Sequence, residues 1–198
     1  MTWALPLILA SSSPRRRQLL EERGWPVTCL APHVDDGRLS PQGIPGRQWV
    51  TAMAWFKARS VMLQHAVEGT ILAADTVCEH RGRIFGQPAN RAEAADTLRR
   101  LRQDRHQVMT GVCLLCPRTQ RRELFVDEAT VTLGAVDDEM IDRYLETDRW
   151  RGKAGGYNLH DRIADGWPVT WTGDDDTITG LPLRRLSTML TGMPGEDR

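Results

Sequence analysis

Apolar runs of strand length recur between segments with helical spacing, and this alternation constrains the fold more than any other feature of the chain. The runs cover residues 5–10, 27–31, 71–74 and 108–116. Interleaved in this way they predict an α/β protein, and their near-continuous apolarity predicts central strands covered on both faces. Residues 123–133 alternate as a half-exposed strand, and residues 169–172 form another after the Asp165-Gly-Trp-Pro turn. Helical spacing covers residues 48–65, 91–102 and 183–190, and Asp137-Asp-Glu139 reads as the capping first turn of a helix carrying Met140, Ile141, Tyr144 and Leu145. A chain of 198 residues builds one full-sized core, or one domain with two lobes across a cleft. Residues 1–198 are therefore read as a single domain, with those after about 192 as a flexible tail.

Charge narrows the partners. Lys plus Arg equals Asp plus Glu at 26 each, so no general attraction to nucleic acid or anionic membrane is expected, and any anion site must be local. The apolar runs are too short for a membrane span, and the first residues lack the pattern of a signal peptide, so a cytoplasmic protein is expected. Cys29, Cys78, Cys113 and Cys116 are expected to be core thiols. Cys113 and Cys116 have CxxC spacing, but on a strand they point to opposite faces, and no second pair completes a zinc site. Most of the seven tryptophans are read as packing residues, while Trp150, Trp167 and Trp171 fall near loops where they are candidates to stack on a base.

The first apolar run leads straight into Ser11-Ser-Ser-Pro-Arg-Arg-Arg17 and then a helical segment. A helix start offers unpaired N–H groups and the positive end of the dipole to an anion, and three hydroxyls and three guanidiniums strengthen such a phosphate cradle. The same residues also suit an ordinary helix start, with serine as N-cap and Pro14 at N1, and both readings stand. Along the helix of residues 48–65, Val50, Met53, Ala54 and Val61 form an inward stripe, and Lys57 lies on it. Lys57 either snorkels to the surface or points into a polar cleft. Asp75 directly follows an apolar run, at the expected carboxyl end of a buried strand, where ligands bind in open α/β sheets. A buried unpaired carboxylate is expensive, so Asp75 is expected to face a cation or a donor-lined cleft. Asp35-Asp36 is a second acidic point that also reads as turn chemistry, and Asp174-Asp-Asp176 reads as a turn and helix cap. Gly86-Gln87-Pro88 forms a turn, and residues 152–160 form a glycine-rich loop able to approach a ligand closely.

Taken in order, Ser11-Ser-Ser-Pro-Arg-Arg16, Val34-Asp-Asp36, Lys57-Ala58, Ala74-Asp-Thr-Val77, Gly86-Gln-Pro88, Thr110-Gly-Val112, Lys153-Ala-Gly-Gly-Tyr157 and Gly180-Leu-Pro182 resemble the motifs of Maf-like proteins across nearly the whole chain. That family consists of nucleoside triphosphate pyrophosphatases, historically also called septum formation inhibitors. The resemblance implies a two-lobed α/β fold distantly similar to inosine triphosphate pyrophosphatases, with a central mixed twisted sheet flanked by helices. It implies house-cleaning hydrolysis of a normal or modified nucleoside triphosphate to the monophosphate and pyrophosphate, with Mg²⁺ or Mn²⁺ as cofactor. Asp75 matches the catalytic acid position, as proton acceptor or metal ligand, and Asp36 stands where the family more often has Glu, as a second metal ligand. Arg15, Arg16, Lys57, Ser11 and Ser13 match positions that hold the triphosphate.

Two positions depart from the family pattern. Gln87 replaces the usual Lys of the Gly-Lys-Pro turn, removing one charge from the implied phosphate site. His160 replaces the Gln typical of the thymidine- and uridine-triphosphate branch, which Arg15 and Thr76 otherwise match. The 7-methyl-GTP branch typically has Trp at the Arg15 position. Arg15, Thr76 and His160 are thus the base-specificity candidates, and a homodimer is the implied assembly. The alternative is a nucleotide-binding regulator or division-associated interaction protein whose catalysis has decayed.

Overall fold

The computed structural model describes residues 3–34 and 39–190, so the tail expected after residue 192 lies outside the described residues. A mixed seven-stranded sheet forms its centre. In chain order its strands are β1 (Leu7–Leu9), β2 (Val27–Cys29), β3 (Thr70–His80), β4 (Arg83–Phe85), β5 (Asp104–Cys116), β6 (Arg121–Leu133) and β7 (Val169–Thr172). They lie in the order β2-β1-β3-β5-β6-β7, with β4 folded back on β3; β1 runs parallel to β2 and β3, and the remaining pairs are antiparallel. The helices are α1 (Pro14–Glu22), α2 (Gly46–Gln64), α3 (Arg91–Leu101), α4 (Asp138–Glu146), α5 (Leu159–Ala164), α6 (Asp175–Ile178) and α7 (Leu183–Leu190), with a 3₁₀ turn at Ala154–Gly156. None of the described helices is long and apolar enough to cross a membrane.

The two-residue period of the strands sorts the core. On one face, Ile71 and Ala73 of β3 meet Ala54, Ala58 and Val61 of α2, and Val77 meets Val50. The other face carries two separate apolar clusters. Leu72 and Ala74 pack with Leu19 and Leu20 of α1 and Leu183 and Leu186 of α7, while Cys78 packs with Leu98 of α3 and Ile141 of α4. Between those clusters a polar row crosses the sheet, because Thr76 pairs with Thr110 and Thr110 with Asp127 in adjacent strands. Thr76 and Thr110 share a 2.9 Å hydrogen bond, the Thr110 hydroxyl donates to the Thr177 carbonyl at 2.8 Å, and the Thr177 hydroxyl donates to Asp127. The row makes two lobes on one sheet face, with the cleft between them.

Asp75 lies in the middle of its strand, not at the carboxyl end where the sequence places it. Strand β3 continues to His80 because β5 pairs with it from Ile71 to Glu79. The strand opens sideways instead. Pairing with β1 ends at Leu72 and pairing with β4 begins at Cys78, so among the described residues no strand flanks residues 73–77 on that side.

Helix α2 is fixed over the sheet at several points. Its first N–H, on Gly46, lacks a side-chain cap of its own and donates to the Glu79 carboxylate at 2.9 Å. Gly111, opposite Asp75 in the ladder, allows the helix to approach: a Cβ there would stand 2.4 Å from the Val50 carbonyl oxygen. The stripe Val50, Met53, Ala54 and Val61 is buried as its spacing predicts.

The glycine-rich loop is tied to the sheet and its helices at three consecutive residues. The Gly155 N–H donates to the Gly86 carbonyl at 2.9 Å, the Tyr144 hydroxyl donates to the Gly156 carbonyl at 3.0 Å, and the Tyr157 hydroxyl lies 2.7 Å from His106 Nε2. Gly155 and Gly156 take positive φ values of 69° and 73°, which suit glycine. Beneath the loop the buried Arg162 guanidinium lies 3.7 Å from the Tyr144 ring centre and 4.9 Å from that of Trp167, and pairs with Asp165 at 2.7 Å. The cysteines follow the expected opposition, Cys113 and Cys116 packing on opposite faces, but Cys29 is exposed because β2 is an edge strand.

Two predictions follow from these contacts. Gly111→Ala forces α2 away from the sheet, and thermal or urea unfolding should show a loss of about 1–3 kcal/mol, the range for overpacking. His106 is held neutral by burial and by neighbouring His80, with Asp104 opposing, which brings its pKa down to about 4. Its folded pKa lies below its unfolded value of 6.5, so its contribution is full above pH 6.5 and is lost as pH falls toward 4. Stability should therefore decline between pH 6.5 and 4 by on the order of 3 kcal/mol from this group, and urea titrations of His106→Gln should show a flatter decline.

Candidate functional site

A cleft opens where β3 is unflanked, enclosing about 760 Å³ of space continuous with solvent. It is lined by Ser13, Arg15 and Arg16 from α1, Lys57 from α2, Asp75 and Thr76 from β3, Gln87 from the turn after β4, and Lys153 from the glycine-rich loop. Four cations thus border the cleft against the single carboxylate of Asp75 among the described residues. In a chain of zero net charge this is a local concentration of positive charge, as any anion site here would have to be.

The α1 start is both an ordinary capped helix and a wall of this cleft. Pro14 occupies the first turn, and the Ser13 hydroxyl accepts from the Arg16 N–H at 3.4 Å. Arg16 is committed internally: its Nε donates to the Gly180 carbonyl at 2.8 Å and its guanidinium also reaches the hydroxyls of Thr76 and Ser11. Burial lowers the Arg16 pKa, and the nearby Asp75 charge opposes that shift. Ser11 stands behind Arg16, is buried, and accepts from the Ser13 N–H at 3.1 Å. Arg15 is far less engaged. One terminal nitrogen reaches Gln18 at 3.4 Å, and its buried Nε has no hydrogen-bond partner among the described residues. An orphaned buried donor beside a cationic cleft suits an anionic ligand.

Lys57 points into the cleft, which decides between the two readings of its place on the α2 stripe. Its ammonium donates to Asp75 Oδ1 at 2.6 Å, and the two side chains are only 15% and 13% exposed. Asp75 faces α2, while the next residue, Thr76, is on the other face of the sheet with α1 and the α6 segment. Both reach the same cleft because the strand is open at its edge there.

The remaining candidates are placed as follows. The Thr76 hydroxyl lines the cleft but is spent on Arg16 and Thr110. His160 does not line it. Asn158 caps α5, so Leu159 turns inward and His160 turns outward, half-exposed, with Nε2 3.5 Å from Asp175. Asp36 lies outside the described residues. Gln87 is at the cleft, exposed, and makes no hydrogen bond among the described residues. None of the base-stacking tryptophans lines the cleft: Trp150 and Trp167 are buried in the core, and Trp171 is 39% exposed on β7. Asp174 caps α6, as its turn-and-cap reading requires. Sequence reasoning quoted Lys153 and Tyr157 within the glycine-rich motif but gave neither a role at the site. A lysine among glycines was the available signal for the first.

Among the described residues no group of three or more His, Cys, Asp and Glu side chains is disposed to cage a metal. The donor set fits a hard ion that draws most of its ligands from phosphate and water, since Asp75 Oδ2 has no hydrogen-bond partner among the described residues and lies beside the cations of the cleft.

Comparison with known proteins agrees with this geometry. The dTTP/UTP pyrophosphatase of Pelotomaculum thermopropionicum is 36% identical over 186 residues, covering 93% of this chain and 94% of its own. The dTTP/UTP pyrophosphatase of Salinibacter ruber is 38% identical over 181 residues, covering 91% and 87%. That of Symbiobacterium thermophilum is 37% identical over 185 residues, covering 93% and 92%. Among solved structures, the Ham1 protein of Staphylococcus aureus overlaps 64% of this chain and 71% of its own at 13% identity and a TM-score of 0.42, a partial overlap only. Residues 6–193 match the family described as Maf-like protein, and with that match added to the cationic cleft around Asp75, the chain belongs to the Maf-like family.

Proposed function

We propose that this protein hydrolyses a nucleoside triphosphate between the α and β phosphates, releasing the monophosphate and pyrophosphate, with dTTP and UTP as its substrates. One observation carries the reading: the Arg15 guanidinium, with its orphaned Nε, and the Asp75 carboxylate line one cleft. The names of the relatives supply the base preference, and His160, turned away from the cleft, does not oppose it.

The chain's own groups suit hydrolysis by positioning and charge. Lys57 holds one oxygen of Asp75 and so orients the other, Oδ2, for one of two roles: taking a proton from an attacking water or holding the ion that activates that water. Arg15 binds phosphate oxygens, while Arg16, fixed by Gly180 and Thr76, contributes a positive field that needs no reorganisation during the reaction. The Tyr157 wall, tied to His106, closes the side of the cleft away from α1. We propose Mg²⁺ or Mn²⁺ as cofactor, held by Asp75 and the substrate's phosphates, with Asp36 as a second ligand. When bound, the ion neutralises charge developing on the phosphate oxygens.

A panel of nucleotides incubated with Mg²⁺ or Mn²⁺ tests the reading. Monophosphate and pyrophosphate should form from dTTP and UTP, chelation should stop turnover, and Asp75→Asn should reduce it by roughly 10²- to 10⁴-fold. Because Asp75→Asn strands the Lys57 charge, its melting curve should be recorded alongside. Release of orthophosphate with a diphosphate product overturns the bond assignment. Tight nucleotide binding without turnover on any member of the panel favours a decayed regulator.

A further inference from the structure

The cations around the cleft are not equivalent. Lys57 is neutralised by Asp75, and Arg16 spends its donors on Gly180, Thr76 and Ser11. Two remain, on opposite lobes: Arg15 on α1, and Lys153 at the start of the glycine-rich loop. The Lys153 ammonium is partly buried, its one hydrogen bond goes to the neutral carbonyl of Arg149, and no carboxylate lies within 4 Å of it among the described residues. Burial lowers its pKa; Asp161 opposes this shift, and Arg149 and Arg162 add to it. A partly desolvated ammonium that touches no carboxylate among the described residues gains when an anion arrives.

Its backbone is also placed with precision. The Gly155 N–H bond to Gly86 ties this loop to the turn carrying Gln87, a neutral side chain on the same wall. A Cβ on Gly155 would stand 2.6 Å from Cys78 Sγ, so the loop lies against β3 as closely as its backbone permits.

We propose that Lys153 is a polyphosphate contact of this protein, gripping the anion from the lobe opposite Arg15 and supplying the charge that Gln87 does not. The inference rests on the pyrophosphatase reading only in taking the anion to be a nucleotide's polyphosphate. A phosphate oxygen would bring an opposite charge to an ammonium whose present hydrogen-bond acceptor is a neutral carbonyl.

The test uses the whole chain and inorganic triphosphate, followed by calorimetry and by the ligand-induced rise in melting temperature. Lys153→Met should bind inorganic triphosphate roughly 10- to 100-fold more weakly than the unaltered protein, the range for losing a hydrogen bond to a charged group. Without ligand, its melting temperature should hold or rise, because a desolvated charge has been removed. Lys153→Arg should retain the triphosphate-induced shift. With dTTP as substrate, Lys153→Met should raise KM more than it lowers kcat. Equal triphosphate affinity in Lys153→Met and the unaltered protein overturns the proposal, as does failure of the unaltered protein to bind triphosphate. If Lys153→Met melts lower and also loses binding, Lys153→Arg decides: restored binding supports a phosphate contact, and continued loss shows a structural role. A protein that binds triphosphate through Lys153 yet hydrolyses no nucleotide leaves this inference standing and removes the catalytic one.

Discussion

The 2.6 Å contact between Lys57 and Asp75 joins helix to strand, and the remaining architecture can be understood as what makes it possible. Neither partner is well solvated, so the pair adds little net stability, because desolvating two charges offsets most of their attraction. Its worth lies in fixing a carboxylate on a sheet face where its neighbours Ile71, Ala73 and Val77 are apolar. Several contacts hold α2 at the required height and phase: Glu79 capping its start, Gly111 admitting its backbone, and the packing of Ala54, Ala58 and Val61 beyond. Helix and strand run in opposite directions, so the cap and the ion pair succeed one another along α2 and β3, while the close approach is made to the neighbouring β5.

On the reverse face, the polar row of Thr76, Thr110 and Asp127 divides what would otherwise be a continuous core. Each hydroxyl in it is satisfied, which is the condition for a buried polar network to specify a structure rather than weaken it. The α6 segment lies over this row through Thr177 and brings Gly180 to Arg16. The boundary between the lobes and the anchoring of the cationic wall are therefore one arrangement. The third wall, with Lys153 and Tyr157, is held independently by Tyr144, His106 and Gly86.

Much of this was readable in the sequence. The α2 stripe, the capped start of α1, the final helix at residues 183–190 and the strand at residues 169–172 all rest on local periodicity, which local residues determine. What was not readable depended on distant partners. Asp75 and Thr76 look like the polar end of a strand, and only Thr110 and Gly111, far along the chain, show that the strand continues through them. Whether Lys57 turned inward depended in the same way on a carboxylate 18 residues off. His160 was named from its place in the motif order alone, and motif order does not disclose that on the first turn of α5 neighbouring residues diverge by about 100°, so that Leu159 and not His160 lines the cleft. Cys29 looked like a core thiol because an apolar run does not disclose that its strand lies at the margin of the sheet.

The unflanked stretch of β3 has one more consequence. Exposed peptide groups along a strand invite pairing by a foreign chain, and proteins commonly guard such places with charge, brevity or cover. Here the opening is about 17 Å long at the usual rise per residue, closed at both ends by β1 and β4 and rimmed by Arg15, Arg16 and Lys153. An invading strand would have to enter a recess too short for a stable ladder and lined with positive charge, so the same recess that admits a small anion discourages self-association into β-aggregates.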